Sequence, residues 1–151
     1  MNKAFIGAGI ALGLALAGCN YDLGNYPVGV PTLMVSFDEP NVSFSTTTNV
    51  LSGAYKVRAN AIPGSPGGRL MSFITKGGAS LPTGGLYVQA CPIGKLGGKS
   101  CDPVISVQAI PFSLTGATVD DGVITDIVVM GENGISKTVP YSASLPIVAV
   151  P

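Results

Sequence analysis

What most constrains this chain is its punctuation. Twenty-one glycines and twelve prolines are spread through 151 residues, and the apolar stretches between them stay short. From Pro31 onward no window of ten or more residues sets apolar side chains at helical spacing. β-rich runs recur instead between clusters of Gly, Pro, Asn and Asp. The body is therefore expected to be all-β, with strands over 32–38, 41–48, 54–62, 70–75, 85–91, 104–114 with a break near Pro111, 123–130, 135–141 and 145–150.

Two of these segments carry most of the argument. In 54–62, Tyr55, Val57, Ala59 and Ala61 alternate with Lys56, Arg58 and Asn60, which puts one face in a core and the other in water. In 123–130 only Thr125 and Asp126 interrupt an apolar run, as expected of a strand covered on both faces or central in its sheet. Its partner is expected to be 135–141, joined through Gly131, Glu132, Asn133 and Gly134, because Asn-Gly takes the positive φ of tight hairpins. Short strands with turn signals every ten or so residues point to an antiparallel β-sandwich of the immunoglobulin or fibronectin type III kind, a small barrel being the alternative. Tryptophan is absent, so the likeness is to the architecture and not to antibody domains.

Composition removes several chemistries. With no histidine there is no Ser-His-Asp or Cys-His pair and no imidazole metal ligand. Eight Lys/Arg against eight Asp/Glu leave no electrostatic footprint for nucleic acid. A hydrophobic fraction of 46% with 11% charged residues is that of a chain that folds, since it can bury enough apolar surface to offset its ordering entropy.

The first eighteen residues read as a targeting segment: Lys3, an apolar stretch over 4–17, then Gly18 before Cys19. As a helix that stretch would span about 21 Å, short of the roughly 30 Å hydrocarbon core of a bilayer. Leu16, Ala17, Gly18 and Cys19 match a lipobox, and over its first twenty or so residues the chain resembles bacterial lipoproteins. The resemblance implies cleavage before Cys19, a diacylglyceryl group on its sulfur and acylation of the new amino group by a fatty acid such as palmitate. Two or three acyl chains hold a protein durably where one does not. Asn20, in place of the Asp associated with inner-membrane retention, implies the outer membrane where an envelope has two. The expected organisation is a signal peptide over 1–18, a lipid-anchored tether over 19–31 rich in Gly and Pro, and a β-sandwich over 32–151.

Setting Cys19 aside leaves Cys91 and Cys101 as a pair in an oxidising compartment. The segment between them contains Gly94, Gly97 and Gly98 and can turn back, so a disulfide closing a loop between neighbouring strands is expected, worth roughly 2.5–3 kcal/mol. A redox pair usually sits in C-x-x-C, and a zinc site would need two further ligands.

Candidate sites are sparse. Asp38 with Glu39, and Asp120 with Asp121 near Asp126, lack the calcium-loop pattern and read as turn carboxylates satisfied by water and local backbone. No catalytic residue and no cofactor is expected: the two glutamates lie in turns, and neither S-x-x-K nor G-x-S-x-G is present. Glycine-rich loops at 63–68, 76–85 and 94–99 match no phosphate cradle and read as strand connections. Binding residues on sandwiches sit on such loops, which singles out Arg69, Lys76, Lys95 and Lys99, with Tyr87 or Tyr141 as a stacking platform. The functional expectation is a non-enzymatic envelope lipoprotein in adhesion, assembly or scaffolding, held to the membrane through acyl chains on Cys19 and partnered by another envelope protein or surface polymer. The alternative is a carbohydrate or small-molecule binding module.

Overall fold

The computed structural model describes residues 29–93 and 101–151; Cys19, the expected signal segment, most of the tether, and Lys95 and Lys99 lie outside these residues. The described chain forms two packed sheets with no α-helix. One contains β1 (Leu33–Ser45), β2 (Val50–Ala61), β6 (Val104–Ile105), β7 (Ile110–Thr115) and β10 (Val148–Val150). The other contains β3 (Gly68–Thr75), β4 (Ser80–Pro82), β5 (Tyr87–Val88), β8 (Val123–Gly131) and β9 (Ser136–Ser144). Strand β2 lies between β1 and the interrupted pair β6 and β7, while β3 lies between β8 and the interrupted pair β4 and β5. This is the strand order of an immunoglobulin-type sandwich, with the chain crossing between sheets after β2, β5, β7 and β9.

The alternation in β2 is realised in full: Tyr55, Val57, Ala59 and Ala61 are buried, opposite the solvent-facing Lys56, Arg58 and Asn60. In β1 the expected strands 32–38 and 41–48 form one strand. A register shift between Asp38 and Asn41, with Glu39 at φ 49°, absorbs the turn-like Asp-Glu-Pro-Asn run. The bulge flips the buried parity from Leu33 and Val35 to Val42 and Phe44, so both halves still face the core. A comparable shift in β8, where Thr125 is the extra residue opposite Ile74 and Thr75 of β3, lets Ile124, Ile127 and Val129 all point inward although their spacing is not two, while Val128 and Met130 stay half-buried in a strand central to its sheet. The centre of the core is aromatic, with Tyr55 and Phe73 fully buried and Phe37 and Phe112 stacked on Tyr55 at centroid distances of 4.8 and 5.4 Å.

Several expectations are corrected. Strand β10 pairs with β1 in parallel, through Ser43–Ser45, so the sandwich is not purely antiparallel. Segment 85–91 shrinks to Tyr87–Val88, and 145–150 to Val148–Val150 because Leu145 turns into the core. The break in 104–114 falls at 106–109, where Val107 is 89% exposed, and not at Pro111. Pro111 is accommodated because β7 is an edge strand and needs no ladder donor on its outer side. Loop 76–85 contains strand β4, absent from the sequence reading.

The body also takes in Val30 and Pro31, at the end of the segment read as a tether. Gly68 and Gly131 lie opposite one another on β3 and β8, and neither can carry a side chain: Pro31 occupies the space above the first, and the Gly29 carbonyl that above the second. Residues 29–31 are thus wedged into one end of the sandwich, the loop end, beside the turns at 62–67 and 131–135.

Candidate functional site

At the loop end, on the outer face of the second sheet, Gly68, Arg69, Tyr87, Met130, Gly131, Glu132 and Gly134 line a shallow groove of about 250 Å³. Strand pairing creates it: Arg69 on β3 is the register partner of Tyr87 on β5 and of Met130 on β8. Two consecutive glycines with positive φ, Gly84 (72°) and Gly85 (65°), return the chain from β4 to β5 and bring the Gly85 carbonyl to Arg69.

The polar groups in the groove are fixed. Arg69 donates from Nη1 to the Gly85 carbonyl at 2.9 Å, and its guanidinium carbon lies 5.6 Å from the Tyr87 ring centroid. At the other end of the ring the Tyr87 hydroxyl donates to Glu132 Oε2 at 2.6 Å. That hydrogen bond, with smaller contributions from burial and from the charge of Glu132, raises the Tyr87 pKa above its ordinary value, against the opposing pull of Arg69. Glu132 is held by the turn from Gly131 to Ile135, in which Gly134 donates to the Gly131 carbonyl and Asn133 Oδ1 accepts from the Ile135 N–H.

Of the candidate residues, the fold brings Arg69 and Tyr87 together. Lys76 is at the opposite end, 3.6 Å from Asp120. Tyr141 is no stacking platform: its hydroxyl accepts from Val35 N at 2.6 Å and donates to Val35 O at 2.7 Å, tying β9 to the outer edge of β1. Sequence reasoning missed Glu132 as a site residue because it was assigned to the hairpin turn. Its position beside Asn-Gly was the available signal, since such a turn projects its first residues at the tip of a hairpin.

The other side-chain clusters are structural. Asp121, 5% exposed in a short 3₁₀ turn (Val119–Gly122), accepts from Thr75 Oγ1 at 2.6 Å and from the Thr118 N–H at 2.9 Å. Its carboxylate is thus met by local backbone, as the turn reading expected, but its other partner is the buried Thr75 hydroxyl and not water, which locks the corner between β7 and β8 to the end of β3. Asp38 and Glu39 pair with Arg58 and Lys56, each at 3.5 Å. Among the described residues no group of three or more metal-ligating side chains is present.

The Cys91–Cys101 disulfide is formed, with a Cα–Cα distance of 5.8 Å. Cys91 exchanges backbone bonds with the 62–67 turn, accepting from Gly64 and donating to Ser65. The strands on either side of the bridge, β5 and β6, belong to different sheets, so it closes a crossover and not a hairpin between neighbours. Family models, curated protein sequences and solved structures yield no match to this chain.

Proposed function

We propose that this chain is a lipid-anchored, non-enzymatic envelope protein whose sandwich serves adhesion, assembly or scaffolding, with the acyl chains on Cys19 holding it in the outer membrane where two membranes exist. The observation that supports this reading most directly is the packing of residues 29–31. Gly29 to Pro31 are built into the loop end against Gly68 and Gly131, so residues 19–28 connect Cys19 to a rigid, disulfide-closed body at one defined end. Anchoring raises the local concentration of that body at the membrane, so a modest interface suffices for function.

Metabolic labelling with radioactive palmitate, together with intact mass of the mature protein, tests the anchor. Label that is lost in Cys19→Ala, and a mature chain beginning at residue 19, are the expected results; an unlabelled chain starting elsewhere overturns the proposal. In-cell crosslinking of the labelled protein then identifies the envelope component it touches. A second reading, a small-molecule binding module, is favoured by the fixed Arg69, Tyr87 and Glu132 constellation.

A further inference from the structure

We propose that the groove over Arg69, Tyr87 and Glu132 binds a phosphoethanolamine group, supplied by the headgroup of an ethanolamine phospholipid in the membrane that holds the chain. The ligand class follows from the groove alone; the choice of a lipid source rests on the anchored reading. The groove presents two opposite charges that are not each other's partners: among the described residues the ion pairs are Lys56 with Glu39, Arg58 with Asp38 and Lys76 with Asp120. Tyr87 acts as a spacer, with the guanidinium over its ring and the carboxylate on its hydroxyl.

A simple anion in the groove meets the charge of Glu132, and a simple cation meets that of Arg69. A ligand carrying an acid and a primary ammonium on a short neutral spacer satisfies both. The guanidinium spends one N–H on Gly85 and keeps the rest of its planar fork for phosphate oxygens. The second carboxylate oxygen of Glu132 accepts from the ammonium. A sugar is less well served, because the guanidinium already lies on the ring and the hydroxyl is already committed. Gly134, beside which a side chain would meet only open space, lets a ligand approach the backbone, and about 250 Å³ suits a headgroup and not a glycan chain. The groove lies at the same end of the sandwich as Gly29, and the ten residue steps from Cys19 to Gly29 reach at most about 36 Å, which limits how far this end can stand from the bilayer.

The test titrates the mature full-length protein, in detergent free of phospholipid, with O-phosphoethanolamine, inorganic phosphate and phosphocholine, followed by NMR of the tyrosine rings. Saturable binding of phosphoethanolamine is expected, with phosphate and phosphocholine weaker. Glu132→Gln weakens phosphoethanolamine about tenfold and spares phosphate, whereas Arg69→Gln weakens both. Tyr87→Phe, which keeps the ring and frees Glu132, weakens only the ammonium-bearing ligand. Absence of saturation, or wild-type binding by Glu132→Gln and Arg69→Gln, overturns the proposal. The lipid source is tested in vesicles of phosphatidylethanolamine against phosphatidylglycerol, by hydrogen exchange at 85–88 and 131–134. Protection only in the former supports a headgroup, and equal exchange in both overturns that source. A chain that lacks lipid on Cys19 but still binds O-phosphoethanolamine separates failure of the anchor from failure of the groove.

Discussion

Tyr55 ties the two sheets together through one polar side chain. It is fully buried, stacks on Phe37 and Phe112, and its hydroxyl donates to the Pro82 carbonyl at 2.7 Å, joining the two sheets. Burial penalises the phenolate and pushes the Tyr55 pKa well above its ordinary value. The unfolded chain releases this proton near pH 10, so the stabilisation is complete below that pH and is lost as pH rises toward the folded-state value. The shift at Tyr87 has the same sign. Replacing Tyr55 by Phe is expected to cost about 1–2 kcal/mol at neutral pH, leaving the Pro82 carbonyl without its donor, and to flatten the decline in stability above pH 10; urea unfolding at pH 7 and pH 11 checks both. Asp121 is the second such residue. Asp121→Ala orphans the Thr75 hydroxyl and the Thr118 N–H and is expected to cost about 1–3 kcal/mol, read as a lowered thermal midpoint.

Edges and bulges decide how the strands are used. The outer side of β1 is covered at Ser43–Ser45 by β10 and capped at Val35 by the Tyr141 hydroxyl. The edge strands β7 and β9 carry Pro111 and Pro140, each of which removes a donor that a foreign strand would need. Tyr141→Phe therefore uncaps one backbone pair on β1. It is expected to cost about 1–2 kcal/mol and to raise self-association, which sedimentation at increasing concentration measures against wild type. Bulges also explain why some elements were legible in the sequence and others were not. Strand β2 alternates cleanly from Tyr55 to Ala61 and could be read there residue by residue, although its first four residues, Val50 to Gly53, were not read as strand, whereas Asp38 to Asn41 looked like a turn. It looked so because Glu39 does adopt a left-handed conformation, and only the unbroken pairing of β1 with β2 makes the segment a bulge within a strand.

For the whole molecule, the loop end gathers residues 29–31, the disulfide and the groove, and the opposite end gathers the Asp121 corner and β10. The disulfide spans the crossover from the second sheet back to the first. Replacing Cys91 and Cys101 together by Ser is expected to lower stability by about 2–3 kcal/mol, equal to what dithiothreitol does to the wild type, while the β-sheet circular dichroism signal is retained. A larger loss would mean that the bridge holds the two sheets together, beyond restricting the unfolded chain.

The residue pattern alone determined the all-β class, the buried face of β2, the hairpin of β8 with β9 and the pairing of Cys91 with Cys101, because each depends on local periodicity, turn chemistry or cysteine count. Only the tertiary structure decided that β10 runs parallel to β1, that Asp121 is buried, that Tyr141 is spent on a strand edge, and that Glu132 stands across Tyr87 from Arg69. Residues 69, 87 and 132 are far apart along the chain and meet through the pairing of β3 with β5 and β8. Contacts of that kind are set by which strands become neighbours, a choice made by packing the two sheets and not by any one segment.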